Sequence, residues 1–203
     1  NNKYGFNENE IRLYDKLFNN YLDILEYLKI KSKKDTIRLP KDIEKKYSEI
    51  IPKIIFNTEG SNRKIEESKL KEILDLLDDT GQEIWMISTP NRRKEIEAIL
   101  SVEKYKNIKI LPPTNFYEAI EFIRRCELLI SPNTALIHVA SIYNKKIIGL
   151  YSNLKWHTEL WKPTVDEYEL IIPKKEALST DDLGEINSRK IKEAFIRLLK
   201  LED

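Results

Sequence analysis

Cys126 to Ala140 reads CELLISPNTALIHVA, an apolar run that breaks at Ser131-Pro132-Asn133 and restarts with helical periodicity. The pattern predicts a strand, a tight turn and a helix start. A helix start at the carboxyl end of a buried strand presents backbone N–H groups and the positive end of a dipole, which suits a phosphate or diphosphate. Asn133 is a candidate N-cap. Thr134 and His138 are four apart and share a helical face, and Ala135 keeps the turn slim enough for backbone to approach a ligand. His138 is open to a second reading as a core histidine held by a carbonyl, the commoner fate of a lone His.

Ligands of an open α/β sheet bind outside the carboxyl ends of its strands, so the residues after each apolar run are the next to read. They share a small, polar character: Asn57 to Lys64, Ser88 to Asn91, Pro112 to Asn115, Ser131 to Thr134, then Ser152 and Asn153. Helix N-caps select the same residue types, so polarity alone does not mark a site. The first loop carries more, because Gly60, Ser61, Arg63 and Lys64 put cations at a helix start, where they oppose the dipole unless an anion is near. Pointing into water is the other outcome for Arg63 and Lys64. Leu154 to Pro163 holds Trp156, His157 and Trp161 with no clean period, so these rings either plug the end of the sheet or line a pocket for a flat or sugar-like ligand.

The elements that must position these residues follow from hydrophobic spacing. Residues 9 to 29 carry Tyr14, Leu17, Phe18, Tyr21, Leu22, Leu25 and Leu28 on one face, which predicts an amphipathic helix. A Lys- and Asp-rich connector with Pro40 follows over 31 to 50, with room for a short helix. Strands are then expected at 53–56, 83–87, 108–111, 127–130 and 146–151, separated by helices at about 64–79, 91–101, 114–125 and 134–143. A further strand is expected at 169–172, and Ile191, Ala194, Phe195, Leu198 and Leu199 mark a closing helix with Asn187 as N-cap. The fold class is therefore α/β: a Rossmann-like parallel sheet of five to six strands with helices on both faces. Residues 1–50 form the amphipathic helix and connector, and 51–203 the nucleotide-binding type of domain.

Composition limits the chemistry. The 203 residues, 41% hydrophobic and 34% charged, suffice for one full core. Lys+Arg at 35 against Asp+Glu at 34 gives a net charge of +1, so no nucleic-acid partner is expected and any anion site must be local. Cys126 stands alone and there are two His, which excludes an internal disulfide and a Cys/His metal cluster and fits a reducing compartment. No run approaches the roughly 18 to 20 apolar residues of a membrane span, and the first ten residues lack a signal-peptide core. Met86 is the sole methionine, so a fragment or processed product is expected. Neither G-x-x-x-x-G-K-S/T nor G-x-G-x-x-G occurs, which argues against P-loop hydrolysis and ordinary dinucleotide binding.

In order and spacing, the remaining pieces resemble the C-terminal, donor-binding half of glycosyltransferase family 9, the lipopolysaccharide heptosyltransferase family with its two-domain GT-B architecture. Ser131 to Ala140 follows the family's Ser-x-Asp-Thr-Gly-x-x-His-Leu/Val-Ala motif at most positions. Lys146 to Pro163 is similar to the strand and loop that end in Trp-x-Pro, here Trp161-Lys162-Pro163. Lys64 falls where the family has a lysine ahead of the first helix of this half, and Ile110 to Cys126 is similar to its strand, loop and helix before the motif. The resemblance covers about residues 50 to 165, with helix 9–29 similar to the element leading in from the interdomain region. Three departures stand out: Asn133 replaces the family's Asp, Ala135 its Gly, and Ser152-Asn153 its Gly-Pro.

The resemblance implies a cytoplasmic inverting transferase, free or at the cytoplasmic face of the inner membrane. It would move a sugar from a nucleotide diphosphate sugar, ADP-heptose among the candidates, to lipopolysaccharide or another surface glycan. No metal or cofactor is implied, the nucleotide sugar being substrate. Donor-binding residues implied are Ser61, Lys64, Ser131, Asn133, Thr134, Ala135, Leu136, His138, Ser152 and Asn153. Lys64, the helix dipole and the N–H groups of Thr134 to Leu136 would stabilise charge on the departing diphosphate. The general base and the glycolipid or oligosaccharide acceptor site would lie in an N-terminal half, so these residues alone are expected to be inactive in transfer. Two other readings stay open: a non-catalytic domain in which Asn133 marks a lost site, and half of a sugar-nucleotide epimerase.

Overall fold

Strands that are covered on both faces need continuous apolar sequence, and that is how this sheet is built. The computed structural model describes residues 39, 41–60, 65–101, 105–177, 183 and 185–202. The predicted helix at 9–29, and Ser61, Arg63 and Lys64, lie outside them. The elements run α1 (Lys41–Lys46), β1 (Ile54–Asn57), α2 (Glu67–Asp78), β2 (Ile84–Ile87), α3 (Pro90–Leu100), β3 (Ile108–Ile110) and α4 (Phe116–Arg125). They continue with β4 (Leu128–Pro132), α5 (Ala135–Ile142), β5 (Lys146–Leu150), α6 (Lys155–Trp161), β6 (Tyr168–Ile171) and α7 (Ser188–Leu199).

Six parallel strands form one sheet in the order β3-β2-β1-β4-β5-β6. The α/β, Rossmann-like expectation holds, including the sixth strand. Successive side chains on β1 go to opposite faces. Ile54 and Phe56 join Leu70, Leu74, Ile96 and Phe195 under α2, α3 and α7. Ile55 joins Leu129, Ile147, Ile120, Phe122 and Ile137 under α4 and α5. Each of the four strands β1, β2, β4 and β5 is thus buried along most of its length, with Lys146 and Trp85 the partly exposed exceptions. Among the described residues, no helix is long and apolar enough to cross a membrane.

Three local expectations are corrected. β4 does not stop at residue 130: Ser131 and Pro132 pair with Gly149 and Leu150, so the strand reaches the turn itself. Pro132 has no N–H to give a ladder, and it lies beyond Ile130, the last residue of β4 that pairs with β1. The N-cap of α5 is Thr134, whose Oγ1 accepts from the N–H of Leu136 at 3.3 Å; Asn133 instead extends the pairing, its N–H donating to the carbonyl of Leu150 at 3.1 Å. The aperiodic stretch after β5 is helix α6. The only residue α6 buries is His157, so it shows no apolar stripe and sequence spacing misses it.

Candidate functional site

The strand order reverses at β1, which has β2 on one side and β4 on the other, and a cavity of about 410 Å³ opens at the carboxyl ends of these strands. That is the switch point at which ligands of open α/β sheets bind. Three helix starts meet on its wall: Thr89-Pro90 of α3, Asn115-Phe116 of α4 and Thr134-Ala135 of α5. Helix N-termini carry partial positive charge, so their convergence favours an anion.

The three starts are not equivalent. Thr89 N–H donates to the Glu59 carboxylate at 2.8 Å, so a fixed negative charge already sits at α3. At α4, Asn115 and Glu118 form a reciprocal capping box, with 3.0 Å and 2.8 Å hydrogen bonds, and Lys46 pairs with the Glu118 carboxylate. That lysine holds the Glu118 carboxyl below its ordinary range. The start of α5 has only the neutral Thr134 hydroxyl. Among the described residues, the N–H groups of Thr134 and Ala135 have no hydrogen-bond partner. An anion in the cavity would meet its least compensated N–H groups here.

Behind this wall the turn is held by buried polar links. Asn57 Nδ2 donates to Ser131 Oγ at 3.0 Å, joining the ends of β1 and β4 across the switch point. Ser131 Oγ donates to the Pro132 carbonyl at 2.7 Å and lies 3.3 Å from Thr134 Oγ1. Asn133, buried apart from its cavity face, has Nδ2 at 2.7 Å from His157 Nε2, and His157 Nδ1 lies 3.0 Å from Ser152 Oγ.

Of the residues predicted for the site, Asn133, Thr134, Ala135 and Leu136 line the cavity. Ser131 and Ser152 are buried behind it. His138 lies elsewhere: half-buried on α5, its ring meets Trp161 edge-on at 5.7 Å, and burial holds its pKa below the ordinary value. Asn153 Nδ2 donates to the Lys174 carbonyl at 3.1 Å, bracing the loop after β6. Ser61 and Lys64 fall outside the described residues.

Three participants lie outside the residues that the sequence predicts for the site. His157 stands out by its type, but nothing local ties it to Asn133. Asn115 lines the cavity as the α4 cap, which the spacing Asn115-x-x-Glu118 would have announced as a capping box. Arg92 is 4% exposed in the first turn of α3; Nη1 donates to the Thr58 carbonyl at 2.9 Å and Nη2 to that of Ile65. With Ile65 N–H also on the Thr58 carbonyl at 3.1 Å, it closes the base of the loop after β1. A cation in the first turn of a helix is the signal that could have found it. Among the described residues, no group of three or more His, Cys, Asp or Glu is placed to hold a metal ion.

Solved structures resemble this arrangement. The E. coli ADP-heptose lps heptosyltransferase II is 18% identical with a TM-score of 0.61, over 80% of this chain and 53% of that one. The E. coli heptosyltransferase WaaC with ADP is 14% identical, TM-score 0.58, over 79% and 46%. The Methanocaldococcus jannaschii UDP-GlcNAc 2-epimerase in complex with UDP-GlcNAc and UDP is also 14% identical, TM-score 0.53, over 80% and 43%. The chain therefore spans about half the length of these structures, and at such identity they establish its fold. No curated protein sequence matches it. Transferases and an epimerase share the sheet, so the fold does not choose between them. The model of glycosyltransferase family 9 (heptosyltransferase) matches residues 8–184, and the chain belongs to that family.

Proposed function

We propose that this chain supplies the donor-binding half of an inverting glycosyltransferase that moves a sugar from a nucleotide diphosphate sugar to a glycan acceptor. The observation that carries the reading is the α5 start: an uncompensated helix N-terminus on the wall of a 410 Å³ cavity at the switch point. A nucleoside diphosphate is the leaving group, and its negative charge grows as the glycosidic bond breaks. N–H groups of Thr134 and Ala135 and the α5 dipole stabilise that charge where it develops, without reorganising. Lys64, by its position ahead of α2, is assigned to the same diphosphate, and the reaction needs no metal. Asn133 is assigned to the sugar. ADP-heptose is the first donor to test, since the E. coli relative was solved with ADP.

A base must take the proton of the acceptor hydroxyl. We assign it, with the site for a glycolipid or oligosaccharide, to sequence outside these residues. The competing reading, a domain kept without donor binding, is favoured by one observation, the neutral Asn133 where the family has a carboxylate.

Thermal unfolding with ADP, UDP, GDP and CMP sugars decides between them. A donor at 100 times its Kd stabilises by about 2.7 kcal/mol, so one nucleotide class should raise Tm selectively. Absence of a shift with every donor would remove the transferase reading. In a full-length protein carrying this chain, Lys64→Ala should lower transfer roughly 100-fold while leaving the unfolding midpoint in place. Unchanged donor affinity and rate would refute the role of Lys64. Turnover of a nucleotide sugar without any acceptor would point to the epimerase alternative.

A further inference from the structure

His157 does not line the cavity, yet it holds a residue that does. The ring is 3% exposed, and both nitrogens are engaged: Nε2 at 2.7 Å from Asn133 Nδ2, Nδ1 at 3.0 Å from Ser152 Oγ. An amide NH₂ group donates and cannot accept, so Nε2 is the acceptor and the ring proton sits on Nδ1, donating to Ser152. The links come from three places in the fold: the turn after β4, the end of β5 and helix α6. Tyr151 and Trp156 rings, at 5.7 Å and 5.5 Å, flank the imidazole. With the Asn133 amide as donor the ring is neutral and protonated on Nδ1, so Asn133, His157 and Ser152 form one donor-to-acceptor relay.

We infer that His157 is a positioning residue for sugar recognition, fixing which end of the Asn133 amide faces α6 and therefore how the side chain meets a ligand. The inference rests on the proposed donor reading, in which Asn133 touches the sugar. A fixed amide discriminates hydroxyls, which donate and accept, from phosphate oxygens, which only accept. Loss of His157 should therefore weaken the sugar's contribution more than that of the nucleotide.

The test compares wild type, His157→Leu and His157→Gln for binding of ADP against ADP-heptose and of UDP against UDP-GlcNAc. For the pair that wild type binds, His157→Leu should weaken the nucleotide sugar about tenfold and the nucleotide less than about threefold, and Gln, which keeps an amide at this position, should restore most of the loss. Should His157→Leu not fold, Ser152→Ala, which removes the far end of the relay, reads the same ratio. Nitrogen NMR of the wild-type chain, which has two histidines, should show the Nδ1–H tautomer for His157. Equal losses for nucleotide and nucleotide sugar, failure of Gln to restore in a folded protein, or a proton on Nε2 would each overturn this inference alone. If the donor is a GDP or CMP sugar the same comparison is made with that pair, and a wild type that binds no sugar of the ADP, UDP, GDP or CMP class would overturn the donor reading and this inference with it.

Discussion

Gly149 in β5 faces the Tyr151 ring, and a Cβ there would meet Tyr151 Cε2 at 2.6 Å and Leu170 Cδ2 at 2.9 Å. The ring does not yield easily, because Tyr151 is fully buried and its hydroxyl donates to the Trp161 carbonyl at 2.5 Å. Gly149→Ala should therefore destabilise by about 1–3 kcal/mol, the cost of overpacking a filled core. An unchanged urea midpoint would show that the ring can move. At this scale the sequence was partly legible. The motif around Asn133 and Thr134 announced an anion-suited turn, and those residues do line the cavity. The partner of Asn133 was not legible, since His157 is 24 positions away in a helix without an apolar stripe.

Among the elements, α1 is fastened to α4 by backbone carbonyls as much as by side chains. Arg125 Nη1 donates to the Tyr47 carbonyl and Nη2 to that of Glu44, both at 2.7 Å, while the Tyr47 and Phe122 rings lie 5.0 Å apart. A guanidinium on carbonyls at a helix C-terminus also suits the dipole there. The same α4 carries the Glu118 cap on the cavity wall, so the connector ahead of β1 and the site share one helix. Arg125→Ala should speed amide exchange across residues 41–50 while the strands exchange as before. If mass spectrometry shows equal protection in the variant, the arginine does not hold α1. The strands were readable because burial on both faces demands an unbroken apolar run. α6 was not, because it buries an imidazole.

For the whole molecule, pH tests the buried charge network. Burial pushes the Glu121 carboxyl up, but the guanidiniums of Arg124 and Arg125, bonded to it at 2.6–2.8 Å, together hold it below its ordinary value of 4.5. A carboxyl with a lower pKa folded than unfolded stabilises above the unfolded value and loses that contribution as pH falls through the folded one. Burial lowers the pKa of His138 from 6.5, so the unfolded chain binds its proton more readily and stability again falls toward acid. The urea midpoint should decline from about pH 6 downward and most steeply below about pH 4.5. Glu121→Gln should lower the unfolding free energy at neutral pH by about 1–3 kcal/mol, seen as a lower urea midpoint, and flatten the acid limb. An acid limb of the same steepness in that variant would exclude Glu121 as its source.

The alternation of short apolar runs with helical segments determined, without any structure, that the sheet is parallel and covered on both faces, because no other architecture buries such strands. It also determined that the polar turns would collect at one end, since every strand of a parallel sheet points the same way. Strand order was decided by tertiary structure alone: nothing local in Leu128 to Pro132 says that it pairs with β1 rather than β3. That choice makes the switch point and the cavity. That α3 carries a compensating carboxylate was likewise decided by a contact across a long sequence separation, Thr89 with Glu59, whereas the carboxylate at α4 belongs to its own local capping box. Periodicity records which face of an element is buried. It does not record which polar groups meet once the faces have packed.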